Sequence, residues 1–155
     1  MPTDPAIASV RLSLRRFALQ RDRWIADFCR RAGISRSDYD ALEALDEHGP
    51  LTPGELGALL SLTSGSVTAL VDRLERLGSV SRTPHPDDRR KVVVAQTRGA
   101  WRSGQSGLRP YLDAVDAATS ELSVTERNVV SAYLDELNHK ISTARDGVAG
   151  ARNEH

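Results

Sequence analysis

From Pro5 to about Ala32 the apolar residues Ile7, Val10, Leu14, Phe17, Trp24, Ile25 and Phe28 recur at intervals of three and four. That spacing predicts one long amphipathic helix, closed by Gly33. At 100° per residue Arg21 falls in the middle of the apolar stripe. A second helix is expected over Ser35–Gly49, capped by Ser35 or Ser37 and buried through Tyr39, Leu42 and Leu45, with Gly49-Pro50 as its stop. "LTPGELGALL" combines Thr52, Pro53 and Glu55 at the spacing of a capping box with a first-turn proline. It predicts a short helix buried through Leu56, Leu59 and Leu60. After a tight turn, Ser61–Gly78 places Val67, Leu70, Val71, Leu74 and Leu77 on one inner face.

"SVSRTP" and "RKVVVAQT" then read as two short strands around a charged turn, with Val92 and Val94 anchoring the hairpin. The remainder is helical again. Trp101, Leu108, Leu112, Val115 and Leu122 share a face; Gly104 and Gly107 weaken this helix, and Pro110 should kink or break it. Ser123 and Glu126 form another capping box and open a last helix buried through Val129, Val130, Tyr133, Leu137 and Ile141. Beyond Ala144 the composition suggests a frayed end. A short helix, a tight turn, a second helix and then a hairpin make a winged helix-turn-helix. The fold class expected is mainly α with a small β-hairpin wing.

The chain has 155 residues and one cysteine, Cys29, so no internal disulfide forms. The start of the chain lacks the apolar core of a signal peptide, and no stretch approaches the ~18–20 apolar residues of a membrane span. These features predict a soluble cytoplasmic protein with no membrane partner. The formal net charge is zero, but it is a sum of opposed patches. Residues 1–37 hold eight arginines and three aspartates, whereas residues 38–47 hold five acids and no base.

A helix that enters a major groove needs a compact, hydrogen-bonding outer face at its N-terminal end. Ser64, Gly65, Ser66 and Thr68 meet that need, and Ala69 and Arg76 extend the same candidate surface. Arg73, further along, is expected to clamp a phosphate. The hairpin tip carries Asp87, Asp88, Arg89, Arg90 and Lys91 in a row. Beside a duplex, Arg90 could enter the minor groove, where the negative potential is strong. Asp88 could aim it as a bidentate partner, with Arg89 and Lys91 adding attraction to the backbone. A solvated surface ion pair worth ~0–1 kcal/mol is the alternative.

"LTPGELGALLSLTSGSVTALVDRLERLGSVSRTPHPDDRRKVVVAQT" resembles the winged helix of MarR-type transcriptional regulators. The resemblance rests on the Leu51-Thr52 opening, the "SGSVTALVDRLERLG" helix, Arg82, and Asp88-Arg89-Arg90 ahead of a Val-x-Val strand. It covers residues 35–98 by motif and the remainder by helix order. It implies a homodimer formed through the first and last helices, engaging double-stranded DNA at a palindromic operator with half-sites ~34 Å apart. It also implies a repressor released by a small effector of the anionic aromatic kind. The domains implied are a dimerisation helix over 1–34, the DNA-binding domain over 35–98, further dimerisation helices over 99–146, and a tail over 147–155. Two departures stand out: the strand ends Gln96-Thr97 where the family usually has Leu-Thr, and Ala69 replaces a frequent arginine.

Arg21 either pairs across the dimer with a carboxylate of the last helices or holds an effector with Trp24, Phe28 and His48. Arginines on the first helix and acids over 113–136 suggest charge pairing at the dimer rim. Arg30 and Arg31 would lower the Cys29 thiol pKa if it were exposed, which would suit an oxidant sensor; a half-buried structural thiol is the other reading. A winged helix used for protein–protein contact is the alternative function. The histidines lack metal-ligand spacing, and no catalytic triad, phosphate loop or nucleotide fingerprint occurs, so neither a cofactor nor enzyme activity is expected.

Overall fold

The computed structural model describes residues 4–88 and 90–152, with side chains as far as Arg145. Two compact units divide between Arg109 and Pro110. The first contains α1 (Pro5–Ala32), α2 (Arg36–His48), α3 (Pro53–Leu60), α4 (Ser64–Arg76), β1 (Val80–Pro84) and β2 (Val92–Gln96). It ends with the first half of α5 (Arg98–Ser120). The second contains the rest of α5 and α6 (Val124–Arg152). The architecture is the expected one, mainly helical with one two-stranded wing.

Local chemistry sets most boundaries. Asp4 accepts from the Ala6 amide at 2.7 Å to cap α1, and Gly33 closes that helix at φ 67°. Ser35, rather than Ser37, caps α2, in a reciprocal box with Asp38. Thr52 and Glu55 do the same for α3, and Ser123 and Glu126 for α6. Gly57 permits the tight α3–α4 turn: a Cβ there would lie 2.9 Å from Val67 Cγ2. In the wing, Val80 opposes Gln96 and Pro84 opposes Val92. Leu51 exchanges two backbone hydrogen bonds with Val94, tying the segment before α3 to the hairpin.

The main core joins Ala41 and Leu45 of α2, Leu56 of α3, Val67, Leu70, Val71 and Leu74 of α4, and Val80 and Val94 of the wing. A second cluster holds Ile25, Cys29 and Tyr39, with Phe28, Ile34 and Leu108 packed against it. Some expected core positions are exposed. Leu77 caps the end of α4, and Val92 lies at the wing end of its strand; Val93 and Val94 are the buried pair. Leu59 is also exposed, so Leu56 carries the burial of α3.

The C-terminal half departs from expectation at Pro110 and along α6. α5 runs through Pro110 without a break, and the boundary between the units falls just before it. The backbone is helical as far as Arg152, and the last residues of the tail expected over 147–155 lie outside the described residues. Val129, Val130, Tyr133 and Ile141 are exposed, with no described residue of the second unit covering them.

Gly107, which counts against a helix by propensity, is required by packing. A Cβ there would lie 2.9 Å from Phe28 Cδ2 and closer still to Cε2. The Phe28 ring meets Tyr39 edge-on, with centroids 5.9 Å apart. Gly107→Ala should gain about 1 kcal/mol of helix propensity but displace that ring, for a net loss of about 1 kcal/mol. A urea midpoint at or above wild type would show that the ring moves at no cost.

Candidate nucleic-acid interface

α4 begins after Thr63, whose hydroxyl accepts from the Ser66 amide at 3.3 Å. The Val67 amide makes the first backbone hydrogen bond back to Thr63, at 2.9 Å. The amides of Ser64 and Gly65 belong to the orphan donors of the first turn, which suit an external anion. Ser64, Gly65, Ser66, Thr68, Ala69 and Arg76 are all exposed. Two of the hydroxyls have local work: Ser66 Oγ is 2.9 Å from Thr63 Oγ1, and Thr68 donates to the Ser64 carbonyl at 3.0 Å. The open surface at the helix start is therefore small side chains and free lone pairs over backbone.

Arg73, expected to clamp a phosphate, pairs within the chain with Asp38 of α2. Its Nε lies 2.9 and 3.1 Å from the two carboxylate oxygens of Asp38, and one terminal nitrogen is 2.6 Å from Oδ1. Asp38 is 1 % exposed and also accepts from the backbone amide and hydroxyl of Ser35, at 2.9 and 2.7 Å. Burial works to raise the Asp38 carboxyl, but Arg73 and Ser35 outweigh it and hold it below the ordinary range. On the other side of α4, Arg82 of β1 pairs with both Asp72 and Glu75. Sequence reading gave Arg82 no partner.

At the wing tip, Arg90 has a side chain 95 % exposed. The expected bidentate bond from Asp88 is absent: Arg90 Nε is 3.6 Å from Asp88 Oδ1, too long for a hydrogen bond. That oxygen instead accepts from the Arg90 backbone amide at 3.0 Å, and the Asp88 carbonyl accepts from the Lys91 amide at 2.9 Å. Asp88 thus shapes the turn and leaves the guanidinium extended. Lys91 is exposed, and Arg89 lies outside the described residues.

The end of the wing is firmly joined to α5 despite its unusual Gln96-Thr97. The Thr97 hydroxyl donates to the Gly78 carbonyl at 2.8 Å and accepts from the Ala100 amide at 3.2 Å. Trp101 Nε1 donates to Asp46 at 2.9 Å. Beside them is a cleft of about 240 Å³, with Leu45, Pro50, Ala95 and Trp101 among its apolar walls and Arg98 on its lining. None of the residues named for an effector lines it. Arg21 donates to Glu43 of α2 at 2.6 Å within its own chain, and that carboxylate also accepts from Tyr39 at 3.1 Å. Burial, then Glu43, pushes the Tyr39 phenol up to about 12. The Trp24 ring lies under the Arg31 guanidinium, 5.9 Å from its centroid. Phe28 belongs to the second core cluster, and His48 Nε2 is 3.9 Å from Glu47.

Arg36 pairs with Asp22 and Asp40, and Arg30 with Asp27, so several arginines of the basic N-terminal segment are matched inside the chain. Cys29 is buried, and burial raises its thiol pKa against the opposing pull of Arg36; Arg30 and Arg31 are not the neighbours that count. A protonated, buried thiol suits packing rather than redox chemistry. Among the described residues no single helix is long and apolar enough to cross a membrane.

Comparison with known proteins agrees with this geometry. The family model described as the MarR family matches residues 32–91. The uncharacterized HTH-type transcriptional regulator YcgE of Bacillus subtilis is 35 % identical over 102 residues, 66 % of each chain and so just under two thirds. The multiple antibiotic resistance protein MarR of Salmonella typhimurium is 32 % identical over 108 residues, covering 69 % of this chain and 75 % of that protein. The crystal structure of transcriptional regulator Tm0710 from Thermotoga maritima superposes with a TM-score of 0.65 at 29 % identity, over 88 % of this chain and 96 % of that one. With a helix-turn-helix, an arginine-tipped wing and relatives of this kind, the chain belongs to the MarR family of transcriptional regulators.

Proposed function

We propose that this regulator binds a palindromic DNA operator as a homodimer, each protomer placing α4 in a major groove and its wing along the flanking minor groove. The observation that carries the reading is the joint exposure of the α4 start and of Arg90 at the wing tip within one unit. Both surfaces suit an anionic double helix: orphan amides and small side chains on one, an extended guanidinium on the other. Dimerisation is supported by apolar residues left uncovered at helical spacing, Ile7, Val10 and Phe17 on α1 and Val130, Tyr133, Leu134 and Ile141 on α6. Repression relieved by a small anionic aromatic ligand belongs to the same reading, and the cleft beside Trp101 and Arg98 has walls of that chemistry.

Titration of the protein's own upstream DNA through a salt series tests the reading, with sedimentation run in parallel. Affinity should fall steeply with salt, because neutralised phosphates release counterions. The protein should sediment at twice the 16.9 kDa of one chain. Absence of duplex binding at low salt would refute the DNA reading, and sedimentation at one chain's mass would refute the dimer.

A further inference from the structure

We propose that Arg73 is the positioning residue of the recognition helix, sitting outside the DNA contact itself and setting through its fork on Asp38 the angle at which α4 meets the duplex. The inference rests on the DNA-binding reading above. Arg73 continues the stripe of Ser66 and Ala69, four and seven residues along the same helix, so its spacing alone directs it to the groove. The structure turns it to the N-terminal end of α2 instead. Two of its nitrogens engage both oxygens of a carboxylate that is 1 % exposed, and one of them also lies 3.4 Å from Ser35 Oγ. To bind a phosphate through that edge, Arg73 would have to leave a buried carboxylate without its counter-charge. Stranding a buried charge costs more than one exposed phosphate contact returns.

The packing shows why a directional tie matters. The buried side of α4 is Val67, Leu70, Val71 and Leu74, and apolar contact alone does not fix the rotation of a helix. A two-point guanidinium–carboxylate bond does, since its geometry is planar and bidentate. Arg82, paired with Asp72 and Glu75, holds the same helix to β1. Ser64 precedes Arg73 by nine residues, about 13 Å at ~1.5 Å per residue. A swing of ~10° at the clamp would move the reading end by about 2 Å, well beyond what a hydrogen bond tolerates.

The test compares full-length wild type with Arg73→Gln, Arg73→Lys and Asp38→Asn. Affinities for the upstream fragment and for a scrambled duplex are measured across a salt series, and amide exchange over residues 64–76 is measured without DNA. Positioning predicts that every variant loses at least tenfold in specific affinity while affinity for the scrambled duplex and the salt slope hold. Asp38→Asn is decisive because that buried residue has no surface to offer DNA. Arg73→Lys keeps the charge and should fold, yet should still lose specificity. A salt slope reduced by about one per half-site in Arg73→Gln, with Asp38→Asn binding like wild type, would make Arg73 a phosphate contact and overturn the proposal. If wild type binds neither duplex, the DNA reading fails separately. Amide exchange then decides the clamp: faster exchange of α4 in Arg73→Lys supports it, and unchanged exchange refutes it.

Discussion

Arg73→Ala should destabilise the protein by about 2–3 kcal/mol at pH 7, less than the ~3–5 of a fully buried pair because the Arg73 side chain is 41 % exposed. The loss comes mainly from the partner left behind. Asp38 would retain the Ser35 bonds but lose its only described counter-charge, in a place that water scarcely reaches. The sign of the pH dependence follows. In wild type the folded-state pKa of Asp38 is depressed. Its contribution is therefore fully present above the unfolded carboxylate value of about 3.9, and it is lost as pH falls through the lower folded value. Without Arg73, burial is less opposed and the folded pKa moves up. The gap between variant and wild type should thus narrow as pH falls from 6 to 3. Urea unfolding at several pH values measures this, and a gap that stays constant would mean that the pair does not set the titration of Asp38.

Arg90→Ala should weaken operator binding by about 1–2 kcal/mol per half-site while leaving the unfolding midpoint unchanged. The side chain is almost wholly exposed and supports no core residue, so its removal costs the free protein little. If it contacts phosphate, the salt slope should also decline by about one per half-site. Asp88→Ala should reduce binding by a different route. Its carboxylate holds the turn through the Arg90 amide, so the loss should appear as faster exchange of the tip amides and weaker binding with an unchanged salt slope. Operator affinity equal to wild type in both variants would reduce the wing charges to surface decoration.

Much of the first unit was legible because its signals are local. The box at Thr52 links residues three apart, as does the one at Ser123 in the second unit, and the stops at Gly33 and Gly49 need only one residue's conformation; at Ser35 the spacing left two caps open, and the structure chose Ser35 with Asp38. The apolar periodicity of α4 located four of its buried residues correctly, and it overreached only at Leu77, where the helix ends. The surfaces proposed for DNA contact are marked in short stretches of chain for the same reason: small polar residues at a helix start and a charged hairpin tip, both exposed in the fold.

Long-range pairing was decided by the tertiary structure. Arg73 and Asp38 are 35 residues apart, and helical spacing alone made the arginine look like part of the outer face. Arg21 meets Glu43 across α1 and α2, Arg82 bridges Asp72 and Glu75, and Gly107 makes room for Phe28. Periodicity also identified the apolar face of α6 without revealing that it is uncovered within its unit. The sequence alone determined most helix boundaries of the first unit and which residues are apolar, because those depend on neighbours within a few positions; it failed at Pro110 and at the end of α6. Which charge meets which, and which apolar faces are left uncovered, depends on how distant segments pack, and that was decided only by the folded chain.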